Sequence, residues 1–145
     1  MCGVPQGTVL GPLLFNVYVN DILSVLDGEG AVFCFADDTV VLVQGETWEV
    51  TIKKAEIAFS KIRCWLDHSL LSLNLEKTKF ITFALTSKTL PPVRSLRVHL
   101  SNCLVDESGA CGCIDKIERV EYIKYLGILI DQRLTWKAHL DYVTK

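Results

Sequence analysis

The chain has no marked excess of charge of either sign. Fifteen Lys and Arg stand against 17 Asp and Glu, a formal net charge of −2 over 145 residues. The strong positive field of an autonomous nucleic-acid binder is therefore missing, although this balance neither proposes nor excludes a polynucleotide partner. Long hydrophobic runs are missing as well. The longest apolar stretches, 9–19 and 31–43, are too short or too interrupted to span a bilayer, so no membrane anchor is expected. Met1-Cys2-Gly3-Val4-Pro5 lacks the basic segment and apolar core of a secretory signal. The six cysteines (Cys2, Cys34, Cys64, Cys103, Cys111 and Cys113) accordingly read as reduced thiols of an intracellular protein, nuclear or cytoplasmic, most of them buried as small hydrophobes. His99, Cys103, Cys111 and Cys113 fit no common zinc-finger spacing, so zinc is not expected. Internal repeats and low-complexity tracts are absent too.

Apolar material is plentiful: 50% of residues are hydrophobic and 22% charged, with mean hydropathy +0.30, enough for the core of one domain or part of one. Within it, Ala36-Asp37-Asp38-Thr39 interrupts a strand-forming run, between Val32-Phe33-Cys34-Phe35 and Val40-Val41-Leu42-Val43. Adjacent carboxylates between β-prone segments are costly to bury unless a metal or a partner neutralises them. A short hairpin with the Asp pair at its bend would present them to divalent cations. The plainer alternative is a pair that caps a surface turn.

Around that hairpin the pattern predicts mixed structure. Residues 3–8 are rich in turn formers, and Gly11-Pro12 reads as the start of a helix reaching about Leu26, closed by Asp27-Gly28-Glu29-Gly30. Gln44-Gly45 closes the second strand of the hairpin. Trp48, Ile52, Ala55, Phe59, Ile62 and Leu66 recur at intervals of three and four, which predicts a long amphipathic helix over about 46–69. A strand follows near 80–83, and Pro91-Pro92 marks a loop. A hairpin is expected over 96–120, turning around 106–113, then a strand over 125–130 and a helix from about Thr135. The fold class is α+β, with helices on one face of an antiparallel sheet.

Four segments go beyond a generic α+β domain. They are Gly3-Val4-Pro5-Gln6-Gly7-Thr8-Val9-Leu10-Gly11-Pro12-Leu13-Leu14-Phe15, then Phe35-Ala36-Asp37-Asp38-Thr39, then Leu73-Asn74-Leu75-Glu76-Lys77-Thr78. The last is Tyr125-Leu126-Gly127-Ile128 with Leu134-Thr135-Trp136-Lys137-Ala138-His139. In identity, order and spacing the series resembles the reverse transcriptases of non-LTR (LINE-type) retrotransposons, over nearly the whole chain.

The resemblance implies a polymerase palm, an incomplete antiparallel sheet backed by helices. It assigns 1–131 to a partial palm and 132–145 to the truncated start of a thumb or connection. Nucleotidyl transfer in such enzymes uses two metal ions about 3.5–4 Å apart, and Mg²⁺ (or Mn²⁺) prefers carboxylate oxygens and water. By the family pattern Asp37 is the main metal ligand and catalytic residue, with Asp38 auxiliary. Pro5, Gln6 and Gly7 match the loop that approaches the incoming nucleotide and template, or form an ordinary turn leading into a helix. Lys77 matches a lysine placed to act as general acid near the pyrophosphate. A solvated lysine is the alternative, and neighbouring Lys79 leaves the assignment open. Tyr125, Leu126 and Gly127 match the hairpin that steadies the primer, while Leu126 and Ile128 also read as core.

The implied partners are an RNA template, a DNA primer and deoxynucleotides in the full-length enzyme, with no membrane. The family needs a further aspartate on a strand upstream of the Gly3–Thr8 loop, and the sequence does not show it. Asp21 and Asp27 are not convincing replacements. The chain alone is therefore expected not to polymerise DNA, and to expose a sheet edge where that strand and the other missing polymerase segments would lie. A non-catalytic nucleic-acid-binding module and a structural remnant of a transposon polymerase are the competing readings.

Overall fold

The computed structural model describes Gly7 and residues 9–84, 89–99, 113 and 115–144. These form two compact units, Met1–Leu71 and Ser72–Lys145.

In the first unit, helix α1 runs from Leu10 to Val19 and passes into a 3₁₀ turn, Asn20–Ser24. The helix starts before the Gly11-Pro12 pair rather than at it. Pro12 is still in the first turn, where an amide has no intrahelical acceptor, so its missing N–H costs no bond. Strands β1 (Ala31–Phe35) and β2 (Asp38–Leu42) pair antiparallel, with Phe35 opposite Asp38 and Ala31 opposite Leu42. Alternation along the strands sends Val32, Cys34 and Val41 to one face. That face packs on a core of Ile22, Leu26, Ala58 and Ile62, together with Trp65 and Leu66.

Helix α2 spans Trp48–His68, close to the predicted limits. The Thr47 side chain accepts a hydrogen bond from the Val50 amide at 3.3 Å, which caps the first turn. Ala58, outside the predicted stripe, is the most deeply buried residue of the helix, and Ile62 lies one turn further on. The end is a Schellman arrangement. The Leu71 amide bonds the Leu66 carbonyl at 2.9 Å and the Leu70 amide bonds Asp67 at 3.2 Å, with Leu70 at φ +53° where glycine is usual.

The second unit carries two small sheets. Strand β5 (Lys116–Arg119) lies between β3 (Lys79–Phe80), parallel to it, and β4 (Ser95–Arg97), antiparallel to it. Strands β6 (Tyr122–Tyr125) and β7 (Ile128–Asp131) form an antiparallel hairpin, and helix α3 (Lys137–Val143) follows. Leu96, Val98 and Ile117 are buried.

The α+β expectation holds, with corrections. The described strands make three separate small sheets rather than one, and the β3–β5 pair is parallel. The expected strand over 125–130 is instead the turn and second arm of a hairpin. Leu126 and Ile128 are 47% and 40% exposed, so neither is core. The expected turn around 106–113 lies outside the described residues, apart from Cys113.

Candidate functional site

The β1–β2 hairpin closes through a two-residue loop, Ala36-Asp37, because Phe35 pairs directly with Asp38. Ala36 has φ +51°, and Asp37 is not among the residues of positive φ. That is the φ pattern of a type II′ turn, whose twist suits the flanking strands and whose first position favours glycine. Asp37 therefore sits at the tip. Asp38 opens β2, on the same face as its partner Phe35 and opposite to the face that meets the core. On that outer face Phe33 and Phe35 are 53% and 61% exposed.

Both carboxylates are exposed, so the cost of burying charge does not arise here; the turn has carried the charges out of the apolar run. Neither accepts a hydrogen bond or an ion pair from a described residue. Two adjacent, unengaged carboxylates supply hard oxygen donors of the kind Mg²⁺ and Mn²⁺ accept, and so they fit as part of a ligand set. Among the described residues no three His, Cys, Asp or Glu side chains gather into a metal-holding group.

Gly7 is in a turn at φ +80°, with no described residue where a Cβ would be, so backbone conformation is the demand for glycine seen there. Pro5 and Gln6 lie outside the described residues, as do Cys103 and Cys111. Described cysteines 34, 64 and 113 are half-buried rather than buried.

In the second unit the Asn74 side chain accepts from the Lys77 amide at 3.1 Å, and the Asn74 carbonyl accepts from the Thr78 amide at 3.0 Å. This local turn holds the Lys77 backbone and leaves its ammonium exposed, with no partner among the described residues. Lys79, its rival, instead pairs with Glu118 across β3 and β5 at 3.2 Å. Leu126 and Gly127, at φ +47° and +86°, form the β6–β7 turn with the φ signs of type I′. Glycine is required at the second of these, and Leu126 projects from the tip.

One carboxylate went unmarked in the sequence. Asp131, at the end of β7, accepts from the amides of Arg133 at 2.9 Å, Thr135 at 3.0 Å and Trp136 at 3.0 Å, and from the Thr135 hydroxyl at 3.0 Å. The Thr135 amide does most to hold its carboxyl below the usual carboxylate range, against a smaller opposing effect of desolvation. These bonds fix a loop in which Leu134 and Trp136 both have positive φ, at +54° and +63°. An Asp four residues before a Thr, ahead of a helix, was the signal available.

No helix among the described residues is long and apolar enough to cross a membrane.

Comparison with known proteins agrees with the motif series. The family described as "Reverse transcriptase (RNA-dependent DNA polymerase)" matches residues 1–130. A probable RNA-directed DNA polymerase from transposon BS of Drosophila melanogaster is 30% identical over 149 residues, covering 99% of this chain and 15% of the relative. The RNA-directed DNA polymerase from mobile element jockey of the same species is 29% identical, covering 95% of the chain and 14% of the relative. A Pol polyprotein from type-1 retrotransposable element R1 2 of Nasonia vitripennis is also 29% identical, with 95% of the chain and 31% of the relative covered. The chain thus spans roughly a seventh of the first two relatives. No solved structure matches it.

Proposed function

The chain belongs to the reverse transcriptase (RNA-dependent DNA polymerase) family, and from that premise we propose that it contributes the palm of an intracellular RNA-directed DNA polymerase of a non-LTR retrotransposon. Residues 1–131 are the palm portion and 132–145 the start of the thumb. The observation that carries this is the β1–β2 turn, which presents the consecutive Asp37 and Asp38, exposed and without a partner among the described residues.

Asp37 at the tip and Asp38 at the head of β2 would hold the Mg²⁺ or Mn²⁺. When bound, the metal supplies activation of a primer 3′ hydroxyl and charge stabilisation at the leaving pyrophosphate. The chain's own residues do the rest by position. Pro5, Gln6 and Gly7 approach the incoming nucleotide and template, where the glutamine amide can both donate and accept. Lys77, its backbone held by Asn74, offers a mobile cation and proton donor for the pyrophosphate. The Tyr125-Leu126-Gly127 turn projects toward the primer strand. The substrates are an RNA template, a DNA primer and deoxynucleoside triphosphates.

Titration of the chain with Mn²⁺ and Mg²⁺ by calorimetry tests the reading. Saturable uptake abolished by D37N/D38N, with the circular dichroism spectrum retained, is the expected result. Uptake undiminished in that variant, or none in the unaltered chain, overturns it.

A further inference from the structure

The three-stranded sheet of the second unit brings together charges that are far apart in sequence. Lys79 on β3 and Ser95 on β4 both lie opposite Glu118 on the central strand β5. Lys116 is two residues before Glu118 and so shares its face, while Ile117 between them is buried on the other side. Arg94 directly precedes β4. Together with Glu76 these residues line an open cleft of about 460 Å³.

The charges in the cleft do not cancel. Lys79 and Glu118 neutralise one another at 3.2 Å. That leaves Arg94 and Lys116 against Glu76, and neither cation has an ion-pair partner among the described residues. A chain of net charge −2 thus carries a local cleft of opposite sign. An unpaired guanidinium offers a planar fork matched to two oxygens of a phosphate, and a nearby ammonium adds a point charge. An enclosed, mostly apolar pocket would suit a single small molecule. This cleft instead lies open along a sheet face, which suits a strand passing over it.

We propose that the β3–β5–β4 face binds the phosphodiester backbone of a nucleic-acid strand, with Arg94 and Lys116 as its phosphate ligands and Glu118 as a restraint that keeps Lys79 out of the contact. The proposal rests on the reading that the chain works on nucleic acid, but its phosphate ligands are second-unit residues that the metal reading does not use. Recognition there is independent of base sequence, since only backbone charge is read.

Fluorescence anisotropy of the 145-residue chain with a labelled mixed-sequence single-stranded RNA, over a range of salt concentrations, tests it. Each phosphate contact to a single strand contributes about 0.7 to the slope of log affinity against log salt. R94A/K116A should therefore lower the slope by about 1.4. By extrapolation from molar salt, affinity falls about 25-fold at 0.1 M. E118Q frees Lys79 and should act in the opposite sense, steepening the slope by about 0.7 and tightening binding about fivefold at 0.1 M. K53A/K54A removes the same charge from exposed positions on α2 and should leave affinity within about twofold. Equal losses from the two double variants would reduce the effect to net charge and overturn the proposal. So would an unchanged slope in a folded R94A/K116A, weaker binding by E118Q, no RNA binding at all, or displacement of RNA by equimolar deoxynucleoside triphosphate. If R94A/K116A fails to fold, E118Q alone decides through its sign. D37N/D38N should retain RNA binding, so failure of the metal reading and failure of this one are seen separately.

Discussion

Ala36 is the point at which the candidate site stores backbone strain. It is exposed, holds φ +51° and lies between Phe35 and Asp37, so replacing it with glycine removes no packing. A left-handed conformation costs a residue with a Cβ about 1–2 kcal/mol, and glycine avoids that cost. Glycine also loses more chain entropy on folding, about 0.4–1 kcal/mol relative to alanine. The difference predicts that A36G stabilises the chain by about 0.8 kcal/mol, or roughly 2–3 °C in Tm for a protein of this length. Ala31 provides the control, because it lies in β1, where φ is not positive, and pairs with Leu42. A31G bears the entropy cost without relief, and should destabilise by about 0.5–1 kcal/mol. The two variants delete the same methyl group from one hairpin and should move thermal unfolding in opposite directions. A36V, which forces a β-branched side chain into the same conformation, should fall below the unaltered chain. Thermal and urea unfolding of all three variants decide the matter: A36G no more stable than A31G, or A36V as stable as A36G, refutes the strained turn. A stabilised A36G that binds Mn²⁺ more weakly would further show that rigidity at Ala36 helps to place Asp37.

Ile62 is 3% exposed in the core between α2 and the hairpin, so I62A should cost about 2–5 kcal/mol in urea unfolding. Gly127 at φ +86° has no described residue where a Cβ would sit, so G127A is a test of backbone conformation; a loss of about 1–2 kcal/mol is expected. For Asp131 the folded carboxyl titrates below its ordinary value. Its stabilising contribution is therefore complete above the unfolded value and lost as pH falls through the folded one. The Tm advantage of the unaltered chain over D131N should accordingly shrink on acidification below the ordinary carboxylate range, and an advantage independent of pH there would contradict it. The chain incubated alone with primed RNA, deoxynucleotides and Mg²⁺ should not extend the primer, because no third carboxylate joins Asp37 and Asp38 among the described residues; extension that D37A abolishes would overturn that expectation.

What the sequence made legible has a physical pattern. The β1–β2 hairpin and α2 are readable because their signals are local: two β-prone runs flanking charged residues, and an apolar period of three and four. The residue pattern alone reads the β6–β7 turn as strand, because Leu126 has no propensity for positive φ and Gly127 is the sole turn former at the bend, whereas the family resemblance marks 125–127 as a hairpin. The parallel β3–β5 pair joins residues that no periodicity connects. The same division runs through the candidate functional residues. Asp37 and Asp38 are neighbours in the chain, and Asn74 fixes Lys77 three residues away, so a contiguous motif can contain them. Lys79, Arg94 and Lys116 come together only through strand pairing. A reading built from contiguous motifs therefore finds reactive groups more readily than it finds binding surfaces. Net charge misleads in the same direction, because −2 is an average over the chain and a phosphate strand responds to the field where it lies. The balanced composition that argued against an autonomous nucleic-acid binder is thus compatible with a basic cleft in which sheet pairing neutralises Lys79 with Glu118 while Arg94 and Lys116 have no ion-pair partner among the described residues.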